Sequence, residues 1–229
     1  MLGLGLSLIK GAGKNVGAFL SYIKDSLKLY YRFYDNDPEL LLSGATSFDG
    51  SDDYLINNTD ATWVGNTYTF SYWIKTSTAS STILELKHNS SGAMINNTFF
   101  TSLTSTGKIR SYQANSSGAE VYDHTSTNAV HNGAWHHVAL SYDNSTFKIY
   151  IDGSLDSTDS GSGTISQVAR RLYIGINRND GDSVFNSAFN GQIANVGIWN
   201  RALSASEIES IYWKGQYADL KGTELTNLV

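Results

Sequence analysis

The side chains with which this 229-residue chain could do chemistry are five histidines, twenty-one acids and a large aromatic set. The acids come first. Cleaving a glycosidic bond with retention needs two carboxylates about 5–5.5 Å apart, and on a strand the spacings i, i+2 or i+4 would set such a pair on one face. Glu85-Leu86-Lys87-His88 is the nearest approach to that pattern, and it lacks the second acid. Glu39, Glu120, Glu207, Glu209 and Glu224 read as turn, helix or tail residues. The histidines are His88, His124, His131, His136 and His137. His136 and His137 are neighbours on an expected strand, so they point to opposite faces and do not share a metal. The His131-to-His136 spacing matches no helical zinc motif. His137 is expected to be a partly buried, hydrogen-bonded residue. There is no Gly-x-Ser-x-Gly, and Gly11-Ala12-Gly13-Lys14 is too short for a phosphate loop. The expectation is a chain that is not an enzyme.

Calcium is the better inorganic candidate, because it takes six to eight oxygens in flexible geometry. Asn177, Asn179, Asp180 and Asp182 make an oxygen-dense run with Gly181 for a sharp turn, and Asp49, Asp52 and Asp53 are further oxygen donors. The alternative is an ordinary hydrogen-bonded polar loop. Among 14 Tyr, 9 Phe and 5 Trp, most rings must be core. Trp63, Trp73, Tyr112 and Tyr122 are the candidates for less apolar faces, where a ring could stack on a sugar.

Net charge is −5, with 16 basic against 21 acidic residues. Nucleic acid is therefore not an expected partner, since binding it requires a basic surface that displaces counterions. The absence of cysteine excludes a disulfide framework and any cysteine-ligated metal. No apolar run approaches the roughly 18 residues of a membrane span. No basic residue precedes the apolar start, so a secretory signal is not expected either.

The elements that would position these groups are mostly strands. The stretch Gly133–Gly153 reads as a hairpin. Trp135–Tyr142 is one strand and Phe147–Ile151 the next, with Phe147, Ile149 and Ile151 alternating with Lys148 and Tyr150. Asp152-Gly153 supplies a further turn. Thr67–Lys75 puts Tyr68, Phe70, Tyr72 and Ile74 on one face. Further strands are expected at Leu29–Tyr34, Ile83–Leu86, Met94–Leu103, Lys108–Gln113, Glu120–Tyr122, Arg171–Asn177 and Asn190–Trp199. Ser154–Gly163 and Asn177–Ser187 read as polar loops. Ser204 and Glu207 form a capping box, so a helix follows, with Ile208, Ile211 and Tyr212 as its apolar stripe and Lys214-Gly215 as its end.

Residues 1–13 form a Leu/Gly-rich arm in which Leu2, Leu4, Leu6 and Leu8 recur. Residues 14–29 read as an amphipathic helix whose Val16, Phe19, Leu20, Ile23 and Leu27 share a face. These nine residues are the expected anchor, docking onto another subunit or partner rather than standing in water; the alternative is a helix packed on its own sandwich. The expected division is arm, helix and connector over 1–42, a sandwich over 43–215 and a tail over 216–229. The fold class is all-β: a two-sheet antiparallel jelly-roll sandwich with a short C-terminal helix.

Several blocks carry a family resemblance. Phe48-Asp49-Gly50-Ser51-Asp52-Asp53-Tyr54-Leu55 resembles the opening strand of laminin-G-like, concanavalin A-like jelly rolls. Trp135-His136-His137-Val138-Ala139 with Tyr150-Ile151-Asp152-Gly153 resembles their centre. Gly191-Gln192-Ile193-Ala194-Asn195-Val196 through Trp199, and then Asn200-Arg201-Ala202-Leu203-Ser204, resemble the closing strand and turn. The resemblance spans about residues 45–213 and implies a recognition domain with a calcium near its rim. Where relatives carry two acids, however, this chain has Ala194 and Asn195. The Glu-x-Asp-x-x-Glu pattern of the glucanase branch is absent. The arm, running through Leu27–Tyr31 to Pro38-Glu39-Leu40, resembles jelly-roll proteins of marine bacterial viruses. The resulting expectation is a non-catalytic virion surface protein of a phage: a capsid decoration, head-fibre or tail-associated component. It would be held by its arm to other virion proteins, form part of an oligomer and contact host surface glycans. A free carbohydrate-binding lectin, extracellular or at the cell surface, is the alternative. A glycan hydrolase or lyase is the third reading.

Overall fold

The computed structural model describes residues 27–31, 45–57, 65–87, 98–165, 170–179 and 184–214. Their strands run β1 (Leu27–Tyr31), β2 (Thr46–Asp49), β3 (Leu55–Ile56), β4 (Tyr68–Lys75), β5 (Thr82–Lys87), β6 (Phe99–Leu103), β7 (Lys108–Ala114), β8 (Glu120–Ala129), β9 (Trp135–Tyr142), β10 (Thr146–Ile151), β11 (Ser154–Ser160), β12 (Arg171–Ile174), β13 (Asn177–Asn179), β14 (Val184–Asn186) and β15 (Asn190–Trp199). One helix, α1 (Ala205–Lys214), closes the described chain.

Alternation builds two antiparallel sheets. The seven-stranded sheet has the order β1-β15-β4-β9-β10-β11, with β2 also paired to β15. The six-stranded sheet has the order β3-β12-β5-β6-β7-β8, and β13-β14 form a separate ribbon. In β4, Tyr68, Phe70, Tyr72 and Ile74 face inward and are completely buried. Val138, Leu140 and Tyr142 of β9 and Phe147 and Ile149 of β10 join them, with Leu84, Leu86, Phe99, Ile109 and Tyr122 from the facing sheet. The core is strongly aromatic. Phe70 stacks on Phe99 at 4.2 Å and Tyr122 on Phe147 at 3.9 Å between centroids. The Tyr68 and Tyr122 hydroxyls satisfy each other at 2.5 Å, as buried polar atoms must. Tyr122 therefore belongs to the core and not to a sugar-facing surface.

Four readings of the sequence are corrected. The Phe48–Leu55 block is not one strand. It turns at Gly50 and passes from β2 in one sheet to β3 in the other. Ser154–Ser160 is an edge strand, not a loop, because Asp152 and Gly153 both adopt positive φ (51° and 79°) and reverse the chain in two residues. Its polar composition suits an edge. Asn177–Asn179 and Val184–Asn186 pair as a ribbon inside the expected loop. Strand β1 begins at Leu27, within the span read as helix, and pairs antiparallel with β15 from Leu27 opposite Trp199 to Tyr31 opposite Val196. The rest of that helix, together with Leu2, Leu4, Leu6, Leu8, Val16, Phe19, Leu20 and Ile23, lies outside the described residues, as do residues 216–229.

Candidate functional site

The outward faces of the two sheets differ. On the seven-stranded sheet, α1 lies across Ala139, Tyr150 and Trp199, and buries Leu203, Ile208 and Ile211 with Trp73 packed alongside. The helix is held at its start as its sequence requires. Glu207 N–H donates to Ser204 Oγ at 3.3 Å, and Ser204 N–H donates to Glu207 Oε2 at 2.7 Å. Arg201 donates to both carboxylate oxygens, at 3.0 and 2.6 Å. Burial pushes the Glu207 carboxyl up, but the Arg201 and Ser204 bonds outweigh it and hold the group below its ordinary value. Tyr212 stacks on Trp73 at 5.6 Å. It also presses on the Asp152-Gly153 turn, where a Cβ on Gly153 would lie 2.8 Å from its ring, so this turn needs glycine for space as well as for φ.

The adjacent histidines separate as strand geometry requires. His137 faces outward beneath α1, fully buried, with Nε2 2.8 Å from Ser71 Oγ. Burial holds it down to about 3, against an upward pull from Asp152. It is a neutral structural group, more deeply buried than expected. His136 faces the other way at the sandwich rim. Its Nδ1 lies 2.8 Å from Asp152 Oδ2 and its Nε2 3.0 Å from Asn132 Oδ1. Asp152 Oδ1 also accepts the His137 N–H at 2.9 Å. Both histidines therefore tie the central hairpin together.

On the six-stranded sheet the outward row reads Tyr173, Glu85, Phe100, Tyr112, Asp123 across β12, β5, β6, β7 and β8. Tyr173 and Glu85 are buried, whereas Phe100 and Tyr112 are partly exposed. The face thus opens toward β6–β8. The Phe100 and Tyr112 rings stack at 5.3 Å, and the Arg110 guanidinium carbon lies 5.4 Å from the Phe100 centroid. Arg110 is clamped in turn by Asp123, with Nε to Oδ1 at 2.7 Å and Nη2 to Oδ2 at 2.5 Å. That planar fork fixes the guanidinium beside the rings, and Asp123 raises its proton affinity further against the opposing effect of burial. Side-chain exposure of Arg110 and Asp123 is 42% and 29%, so solvent reaches both charges. Glu85 and Asp123 are the acids of this row. Three strand spacings separate their backbones, about 14 Å, well beyond the carboxylate separation of a retaining glycosidase.

Of the other sequence candidates, Asp49, Asp52 and Asp53 converge, with one oxygen from each within 4.8 Å of the others, all exposed. Two of those carboxylates already accept backbone N–H groups: Asp49 Oδ1 from Ser51 and Asp53 Oδ2 from Asp49. Calcium draws its six to eight oxygens from carboxylates, backbone carbonyls and water, and these three exposed acids would supply part of such a set. Asn177 and Asn179 lie on β13, in the ribbon with β14; Asp180 and Asp182, like Trp63, lie outside the described residues. Trp73 is the expected outward-facing ring, but it is covered by α1. Tyr112 is the sequence candidate that reaches the open face. Phe100 was missed. Its Phe99-Phe100 context gives no signal of which ring faces out until the register with β7 is known.

Comparison with known proteins agrees with this architecture. The family model Laminin_G_3, described as the concanavalin A-like lectin/glucanases superfamily, matches residues 49–209. The rat sushi, von Willebrand factor type A, EGF and pentraxin domain-containing protein 1 is 30% identical over 95 residues, 38% of this chain. The match covers only 3% of that curated relative's length. Among solved structures, the CBM40 module of a Ruminococcus gnavus IT-sialidase, bound to α2,3-sialyllactose, superposes with a TM-score of 0.60 at 15% identity, covering 81% of this chain and 99% of its own. Domain 4 of an extracellular arabinanase from Geobacillus stearothermophilus, in complex with arabinotriose, gives 0.57 at 18% identity, covering 82% and 98%. At these identities the likeness is one of fold.

Proposed function

This chain belongs to the Laminin_G_3 family of the concanavalin A-like lectin/glucanases superfamily, and we propose that it is a non-catalytic recognition module that binds carbohydrate. The observation that carries the reading is the open outward face of the six-stranded sheet. There, partly exposed aromatic rings stand beside a clamped ion pair. The backbones of Glu85 and Asp123, the acids of the aromatic row, stand three strands apart, about 14 Å, which does not suit them as a retaining pair. Structural neighbours solved with α2,3-sialyllactose and with arabinotriose support a sugar as ligand. The test is a glycan array probed with the full chain. Retention of defined oligosaccharides without their turnover is the expected result. Turnover of any retained oligosaccharide would overturn the non-catalytic reading, and whether it survives replacement of Glu85 and Asp123 would tell whether those acids or other groups carry it.

The setting we propose is the surface of a phage virion, as a capsid decoration, head-fibre or tail-associated protein held by residues 1–26. Two features support it. An adhesion-type sandwich without a single cysteine stands without disulfides. Residues 1–26 precede β1 in the chain, and β1 is hydrogen-bonded along the β15 edge, so a partner holding that segment would be tethered to the sheet through β1. Deleting residues 1–26 leaves β1 in place. Loss of particle binding with an unchanged melting temperature is expected, and unchanged particle binding would refute the anchor.

A further inference from the structure

The geometry points to a location and a ligand class: the cluster of Phe100, Tyr112, Arg110 and Asp123 on β6–β8, flanked by Ser102 and Thr125, is a binding site for a neutral oligosaccharide. This rests on the carbohydrate-binding reading above and adds to it where the sugar sits and what charge it carries.

A cross-strand aromatic pair by itself only stabilises a sheet, by roughly 0.2–1 kcal/mol. Three further features set this pair apart. First, it lies on an outward face and keeps part of both rings in solvent. A sugar ring presents an apolar C–H face, which prefers an aromatic surface to water. Second, polar groups converge around the rings. With Nε and Nη2 engaged by Asp123, Arg110 still presents Nη1–H donors. The Asp123 oxygens keep lone pairs, and the Tyr112 hydroxyl is both donor and acceptor. Ser102 and Thr125 stand opposite Arg110 on the neighbouring strands. A few fixed polar groups around an apolar surface is the general make-up of a small-ligand site. Third, the cluster is pre-organised. The bidentate clamp and the 5.3 Å ring stack hold four side chains in one arrangement, so binding loses little side-chain freedom.

The ligand's charge follows from the same geometry. The guanidinium beside the rings is matched by Asp123 at 2.5 Å, so the cluster offers no free positive charge for a carboxylate or sulfate. An acidic sugar would have to displace Asp123 and would meet it as a like charge. Hydroxyl pairs, which both donate and accept, suit an Arg–Asp pair as it stands.

The experiment uses the full chain on an array printed with neutral arabino-, gluco- and galacto-oligosaccharides alongside α2,3-sialyllactose, followed by titration calorimetry of any retained sugar. Tyr112→Ala and Phe100→Ala are each expected to weaken a neutral ligand at least tenfold, with Tyr112→Phe within threefold of the parent. Asp123→Asn preserves the shape of the clamp and is expected to weaken binding at least threefold, which keeps the test valid if an alanine variant fails to fold. Neutral-sugar binding that all four variants leave unchanged overturns the site while the carbohydrate reading stands. Retention of α2,3-sialyllactose alone overturns the ligand class. Retention of no sugar overturns the carbohydrate reading and the site with it.

Discussion

The outward faces of the two sheets come from one alternating pattern and end in opposite states. On the seven-stranded sheet the outward residues are Thr69, Ser71, Trp73, His137, Ala139 and Ser141, which are small, aromatic or neutral when buried; all but Trp73 are buried, beneath α1 and the turn at residues 201–203 before it. On the six-stranded sheet the outward residues of β6–β8 include Arg110, Tyr112 and Asp123, and solvent reaches them. On the covered face Ser71 Oγ and His137 Nε2 pair with each other, while His137 Nδ1 and Trp73 Nε1 are buried there without a hydrogen-bond partner, a cost that burial of the surrounding surface must offset. A face that is to bind can keep charges, provided they are held in place. The same sandwich thus covers one outer surface and leaves part of the other open to solvent.

That contrast can be broken from the sealed side first, where the effects are largest. Trp199 is completely buried beneath α1. Trp199→Ala is expected to destabilise the fold by about 3–5 kcal/mol, read as a fall in the urea midpoint. Glu207→Ala removes the reciprocal cap and the Arg201 bonds together and is expected to cost about 1–2 kcal/mol, visible in the melting temperature. Acid titration gives two overlapping contributions, which single variants separate. His137 has a folded value of about 3, far below that of an unfolded histidine, so the unfolded chain takes up the proton first. Stability is therefore expected to decline as pH falls from about 6.5 toward 3, with His137→Asn flattening that slope. Glu207, held below its ordinary value, contributes stability that is present above about pH 4.5 and is lost as pH falls through its folded value. Glu207→Gln should remove that lower limb alone. The smallest effect belongs to the open face. Arg110→Ala should change stability by no more than about 1 kcal/mol, since an exposed ion pair contributes little. A larger loss would mean that this cluster is structural.

The sequence displayed most of the scaffold because its signals are local. Alternation in Thr67–Lys75 and Phe147–Ile151, the Asp152-Gly153 turn and the Ser204/Glu207 capping box each need only a few consecutive residues, and each forms as expected. The open face was far less legible. Tyr112 was one ring among many, and its role depends on standing opposite Phe100 and Asp123, residues 12 and 11 positions away whose register is set by two successive hairpins. Trp73 shows the converse. It faces outward as its alternation requires, and only the distant helix that returns over it, stacking Tyr212 on the ring, leaves it partly buried. Ser154–Ser160 was misread because an edge strand needs no apolar face, so its polar residues imitate a loop.

Recognition on the six-stranded sheet is the proposal on which the contrast between the two faces rests. Backbone amide chemical-shift mapping tests it most directly, by titrating a neutral oligosaccharide retained on the array into isotopically labelled full-length chain. The largest shifts are expected at Phe100, Arg110, Tyr112 and Asp123 on β6–β8, with α1 silent. Shifts confined to the Asp49–Asp53 turn or the Asn177–Asn186 ribbon, with β6–β8 unmoved, would contradict it.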